Sequence, residues 1–198
     1  LTIKLKKPVR AFSGERWKSN ASNKKRLVED FDHRCAYCDD HDRYTGGYNS
    51  YHVEHFAPKE KFPELEYDYN NLLYSCPYCN ISKSNKWISN DASVCVENDK
   101  GFVDPCTDDY YNHLKRERNG RIVPCTKLGE YMHNELKLYL YRHQIIFNLE
   151  NLLEKKKLID AKIVEKQRNN KDFAILDTLK KEICEVFVDY YELLTDCG

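Results

Sequence analysis

Two C-x-x-C knuckles, Cys35-Ala36-Tyr37-Cys38 and Cys76-Pro77-Tyr78-Cys79, constrain this chain more than any other feature. A two-residue gap lets both thiolates of a knuckle face one ion, and 37 residues separate Cys38 from Cys76. Four such thiolates suit one tetrahedral zinc that clamps two distant loops, so metal binding supplies folding free energy directly. Two disulfides and a redox C-x-x-C are the competing readings, and the spacing favours zinc. Five cysteines lie outside the knuckles: Cys95, Cys106, Cys125, Cys184 and Cys197. Their odd number and irregular spacing fit reduced thiols, read here as small buried hydrophobes in a cytoplasmic chain.

Between the knuckles runs Tyr51-His52-Val53-Glu54-His55-Phe56-Ala57-Pro58-Lys59, whose alternation and closing proline predict a strand ending at a turn. A strand pair across Gly46-Gly47 to Phe56 is expected, then a helix from about Asn80 to Trp87. Taken singly, the polar residues here have ordinary explanations. A histidine at a strand end is usually just hydrogen-bonded, Asn71 and Asn80 suit caps or turns, and Lys83 and Lys86 suit a helix surface. His52 is expected on the opposite side of the strand from His55, in a structural role.

Taken together, Glu54-His55, Asn71, and Asn80 with Lys83 resemble the HNH endonucleases of the zinc-containing ββα-metal type. Asn71 and Asn80 stand nine apart, as that pattern expects. The Glu-His-Phe-x-Pro-Lys run and the later Asp104-Pro105 turn are similar to the HNH subunits of bacterial Septu and retron-type anti-phage systems. The core motif covers roughly residues 30 to 90, and the subfamily likeness extends to about residue 150. Many relatives carry Asp at the position of Glu54 and His at that of Asn80, yet both residues here still offer oxygen to a hard cation.

The resemblance implies a division of labour. Cleaving a phosphodiester needs a deprotonated nucleophile in line and neutralisation of charge on the phosphorane and the leaving oxygen. His55, with an imidazole near its ordinary pKa, is the expected general base, and Asn71 is expected to orient its ring. Glu54 and Asn80 would hold one catalytic Mg²⁺ or Mn²⁺. Lys83 would sit close to a backbone phosphate, while Cys35, Cys38, Cys76 and Cys79 hold structural zinc. Septu-like nucleases are expected to work with an ATPase subunit, and no Walker-type glycine-rich loop occurs here, so nucleotide chemistry belongs to that partner. DNA is the favoured substrate. RNA such as tRNA stays open, because nothing recognisable reads a 2′-hydroxyl. A rival from another class is a catalytically silent zinc module that binds nucleic acid or scaffolds a partner.

Formal net charge is zero, but its distribution is uneven. Residues 1 to 26 hold nine Lys or Arg against one acid, Glu15, whereas residues 27 to 80 hold eleven acids against four basic residues. A basic arm beside an acidic metal site separates phosphate binding from cation binding, although Phe12 and Trp17 in the arm equally suit packing anchors. Lys115, Arg116, Arg118, Arg121 and Lys127 form a second candidate phosphate patch. No apolar run is long enough to span a membrane. The first ten residues lack a secretory pattern, and Leu1 reads as a trimmed or alternative start.

At 198 residues the chain can bury one good core, or a zinc-held module plus a helical one. The expected class is α+β: a small zinc-braced ββα-metal nuclease core with a mainly α-helical C-terminal region. Three segments follow from this: a basic arm and helix over 1–30, the nuclease core over 31–90, and an irregular then helical region over 91–198. Residues 20–32 read as a helix with Ser22 as its cap and Leu27, Val28 and Phe31 on its apolar face. Thr107 is expected to cap a short helix after Asp104-Pro105. Apolar residues from Met132 to Leu153, and from Phe173 to Leu194, recur every three or four positions, with a break at Arg168-Asn169-Asn170-Lys171. His113, His133 and His143 are read as surface or packing residues.

Overall fold

The computed structural model describes residues 1–12 and 17–196, so Glu15 and Cys197 lie outside the described residues. Two compact units emerge, Leu1–Leu140 and Tyr141–Gly198. The irregular stretch after residue 90 therefore belongs largely with the knuckles.

In the first unit, α1 (Asn20–Asp30) begins where Ser19 turns extended and its hydroxyl accepts the Ser22 N–H. Ser19 is the cap, and Ser22 lies inside the first turn. Leu27, Val28 and Phe31 are all buried, as their spacing predicts.

Strand β1 (His52–His55) pairs antiparallel with β2 (Leu72–Ser75), with His52 opposite Ser75 and His55 opposite Leu72. The strand pair expected across Gly46-Gly47 does not form. Both glycines take positive φ, 80° and 74°, and join two 3-10 turns, Asp42–Tyr44 and Tyr48–Ser50. The true partner is Leu72-Leu73-Tyr74-Ser75, buried at every position. A strand covered on both faces reads as a continuous apolar run, and so escapes a search for alternation.

Helix α2 (Pro77–Lys83) starts earlier and ends sooner than expected. Pro77 takes a first-turn position where no N–H is needed, and the Cys76 sulfur accepts the Cys79 N–H, so the knuckle is also the helix cap. Ser84, at φ 49°, ends the helix. Beyond it Trp87 packs edge-on against Phe56 and Phe62, pinning the loop between β1 and β2.

A hairpin of β3 (Val96–Glu97) and β4 (Lys100–Gly101) turns through Asn98 and Asp99, both at positive φ. Helix α3 (Tyr110–His113) leads into a second hairpin, β5 (Leu114–Arg116) with β6 (Ile122–Pro124). Thr107 does not cap α3; its hydroxyl donates to the Asp104 carbonyl instead. Helix α4 (Lys127–Glu135) is capped by Thr126, whose hydroxyl accepts the Gly129 N–H. The core joins the knuckles to Tyr37, Tyr51, Tyr74, Tyr110, Phe102 and Met132, all buried.

The basic arm is stitched to this core. Arg10 makes a two-pronged ion pair with Asp104 at 2.8 and 3.2 Å and donates to the Leu72 carbonyl. Lys4 is buried, Lys7 pairs with Asp108, and Thr2 bridges Lys115. The Arg26 guanidinium lies over Phe12 and Trp17, which act as packing anchors. Arg116 of the second basic patch is also internal, donating to the carbonyls of Ile3, Cys38 and Gly120. These side chains serve the fold; Lys6, Lys18 and Lys25 of the arm, and Lys115, Arg118, Arg121 and Lys127 of the patch, are exposed.

The second unit is a helical hairpin, α5 (Tyr141–Arg168) packed on α6 (Ala174–Asp196). The break spans residues 169–173, one residue later in onset than the Arg168–Lys171 read from the sequence, and the Asp172 carboxylate accepts the Ala174 N–H to start α6. Lys180 pairs with Asp160 across the two helices at 2.7 Å. Among the described residues no helix is long and apolar enough to cross a membrane.

Candidate functional site

The four knuckle cysteines converge. Their sulfurs lie within 4.8 Å of one another and all four residues are buried. Cys38 Sγ and Cys76 Sγ stand 3.8 Å apart, close to the ~3.8 Å edge of a tetrahedron with Zn–S bonds of about 2.3 Å. Burial pushes the thiols of Cys38, Cys76 and Cys79 up, whereas hydrogen bonds from these three overcome burial and hold Cys35 down, so a cation is needed to keep all four as thiolates. The donor set thus fits zinc. The eight described cysteines are all free thiols, which removes the disulfide reading. Cys95, Cys106 and Cys184 are partly buried, whereas Cys125 is exposed and departs from the expected buried role.

The knuckles bracket the β1–β2–α2 unit and so fix a cavity of about 300 Å³ between strand and helix. Glu54 and His55 from β1 and Asn80 from α2 line it together. The sequence motif thus becomes one wall.

His55 Nε2 lies 2.9 Å from the Glu66 carbonyl. A carbonyl only accepts, so Nε2 carries the proton and the neutral ring keeps its lone pair on Nδ1. Burial holds the His55 pKa below its ordinary value, with the Glu66 carbonyl opposing. The Glu66 carbonyl, rather than Asn71, therefore orients the ring.

Asn71 acts one step behind. Its Oδ1 accepts the Ala57 N–H at 2.8 Å, and its Nδ2 donates to the carbonyls of Ala57 and Leu65 at 2.9 and 3.4 Å. The side chain ties down the loop that delivers Glu66.

Glu54 is 5% exposed. Its Oε1 lies 2.7 Å from Lys83 Nζ and accepts the Tyr37 hydroxyl at 3.3 Å. Burial pushes the Glu54 carboxyl up to about 7, against the pull of Lys83. Lys83 also donates to the His55 carbonyl at 3.1 Å and is 0% exposed. Its ammonium is thus turned inward, bracing β1 against α2, and is enclosed away from any backbone phosphate. This corrects the expected phosphate contact. One helical turn after Cys79 carries Lys83 to the buried face of α2, a direction that spacing alone does not reveal.

Four cavity residues were not singled out from the sequence: Asn20, Glu60, Ser84 and Asn85. Asn20 opens α1, and its Oδ1 is buried without a hydrogen-bond partner. Only tertiary packing brings α1 here. Glu60 directly follows Lys59, the last residue of the Glu-His-Phe-x-Pro-Lys run, and could have been weighed from that adjacency. His52, by contrast, is exposed and lies outside the cavity lining.

A zinc-type four-thiol cluster bracing a ββα unit, with Glu-His on the strand and Asn on the helix, is the architecture of an HNH domain. Residues 35–86 match the family model described as HNH endonuclease. Among curated proteins, the chain resembles the Septu protein PtuB of Bacillus thuringiensis, at 31% identity over 93 residues. That alignment covers 45% of this chain and 30% of PtuB, so the chain matches under a third of that relative's length.

Proposed function

We propose that this chain is a metal-dependent HNH endonuclease that hydrolyses phosphodiester bonds in DNA, as the nuclease component of an anti-phage defence complex. The observation that carries this reading is that His55, with Nε2 committed to Glu66, shares one cavity with Glu54 and Asn80, whose side chains offer oxygen. An all-oxygen set of carboxylate and amide suits a hard divalent cation, Mg²⁺ or Mn²⁺. Held by Glu54 and Asn80, such a cation would supply charge neutralisation during phosphodiester cleavage. His55 Nδ1 takes the proton from the attacking water. Glu66 keeps the ring in the tautomer that can do so, and Asn71 holds the loop that carries Glu66. The cysteine cluster fixes the distance between strand and helix. The likeness to a Septu protein supports the defence setting and, with it, an ATPase partner subunit.

The test is cleavage of plasmid DNA and of total tRNA with Mg²⁺ or Mn²⁺, beside His55→Ala, with zinc measured on both proteins. Cutting of DNA should fall at least 100-fold in the variant while zinc stays near one per chain. Cutting confined to tRNA would transfer the same site to RNA. Absence of cutting even with the partner ATPase would leave a zinc scaffold.

A further inference from the structure

Besides a divalent cation, the proposed reaction calls for a side-chain cation that holds the substrate backbone, and Lys83 is spent inside the fold. We infer that Lys59 is the phosphate-binding residue of this cavity; the inference rests on the nuclease reading above.

Among the described residues lining the cavity, Lys59 is the one lysine or arginine. It stands four positions after His55, and its backbone is fixed relative to the base. Asn71 grips Ala57 on both its N–H and its carbonyl, and the Pro58 carbonyl accepts the N–H groups of Lys61 and Phe62. A rigid turn thus carries a flexible four-carbon stem at the cavity edge. The side chain is 41% exposed, so an approaching phosphate can reach it.

At rest Lys59 Nζ lies 3.2 Å from Glu66 Oε1, in a pair whose carboxylate is 29% exposed. Half-exposed pairs of this kind hold weakly, so a phosphate can replace Glu66 as partner. Glu66 therefore has two separable duties: its backbone carbonyl orients His55, and its carboxylate parks Lys59 beside the cavity. The parking also matters electrostatically. Glu60 lines the cavity and the Glu66 carboxylate lies beside it, so a polyanion is repelled at this edge unless Lys59 turns toward it. Lysine suits this task because its ammonium binds phosphate as a point charge from many directions.

Binding and cleavage separate this inference from the reading on which it rests. In a His55→Ala background, duplex oligonucleotide affinity is measured over a range of NaCl concentrations without added divalent metal, with and without Lys59→Met. Losing one phosphate contact should lower the slope of log K against log salt by about 0.9 and weaken binding about three- to tenfold. Lys59→Arg should restore both. Glu66→Gln, which keeps the backbone carbonyl, should tighten binding, and Lys59→Met should cancel that gain. An unchanged salt slope in Lys59→Met, in protein that keeps its zinc and thermal midpoint, overturns the assignment even if the parent cuts DNA. The predicted slope change in a parent that never cuts upholds the phosphate contact and removes the nuclease. A parent that neither binds nor cuts removes both.

Discussion

At the scale of single residues, the arm shows how charge pattern can mislead. Lys4 looks in sequence like one more basic side chain, yet it is 3% exposed, with Nζ 3.4 Å from the Pro105 carbonyl and 4.9 Å from the Tyr110 ring centroid. Burial lowers its pKa to about 8, while Asp39, Cys106, Cys35 and Asp104 pull the other way. Below pH 8 the folded chain holds a buried ammonium that the unfolded chain would solvate, and this penalty disappears as pH rises past 8, while the unfolded amine stays protonated to about 10.4. Stability should therefore rise between about pH 8 and 10, by an amount on the order of 3 kcal/mol. Lys4→Met, measured by denaturant titration across that range, should flatten the rise and leave the protein at least as stable at pH 7. A slope unchanged by Lys4→Met would show that other groups carry it. Residue identity was legible where the motif fixed it, as at Glu54, His55 and Asn80. Burial was not, since nothing in one lysine's neighbours says whether the chain will fold over it.

Among elements, the helices were legible and the strand pairing was not. Helix α1 and the break between α5 and α6 announce themselves by periodicity and polar interruption. The partner of β1 sits beyond a long loop, and its apolar run carries no alternation to mark it as a strand. That loop is also where Asn71 works, and its role there is testable. Asn71→Ala leaves the buried Ala57 N–H without its acceptor, which costs about 1–3 kcal/mol locally. Amide exchange over residues 56–66 should accelerate, and cleavage should fall because Glu66 no longer holds the His55 ring. Zinc content should stay the same, because no Asn71 contact reaches a cysteine. If exchange in the loop is unaltered while activity is lost, Asn71 acts on the substrate directly rather than through the loop.

For the whole molecule, the four-thiol cluster should weigh heavily in stability, because it ties the segment after α1 directly to the start of α2, beside the β1–β2 pairing and the shared core. Cys35 and Cys38 reach the core just after α1, and Cys76 and Cys79 begin α2. A metal that bridges them contributes free energy only to the folded chain, on the scale of about 10 kcal/mol for structural zinc near neutral pH. Zinc takes thiolates, so the metal-bound fold carries fewer protons than the unfolded chain over every pH below the ordinary thiol value of about 8.5. Stability must then rise with pH through the neutral range and fall on acidification. Zinc release followed with a colorimetric chelator should begin as pH drops below about 6 and should coincide with loss of the near-ultraviolet signal from the buried Tyr37, Tyr51 and Tyr74. Cys76→Ser should shift that release upward in pH and lower the thermal midpoint more than Cys125→Ser, whose side chain is exposed and remote from the cluster. Unfolding that ran ahead of zinc loss would mean that the packed tyrosines and β1–β2, rather than the metal, set the stability of this unit.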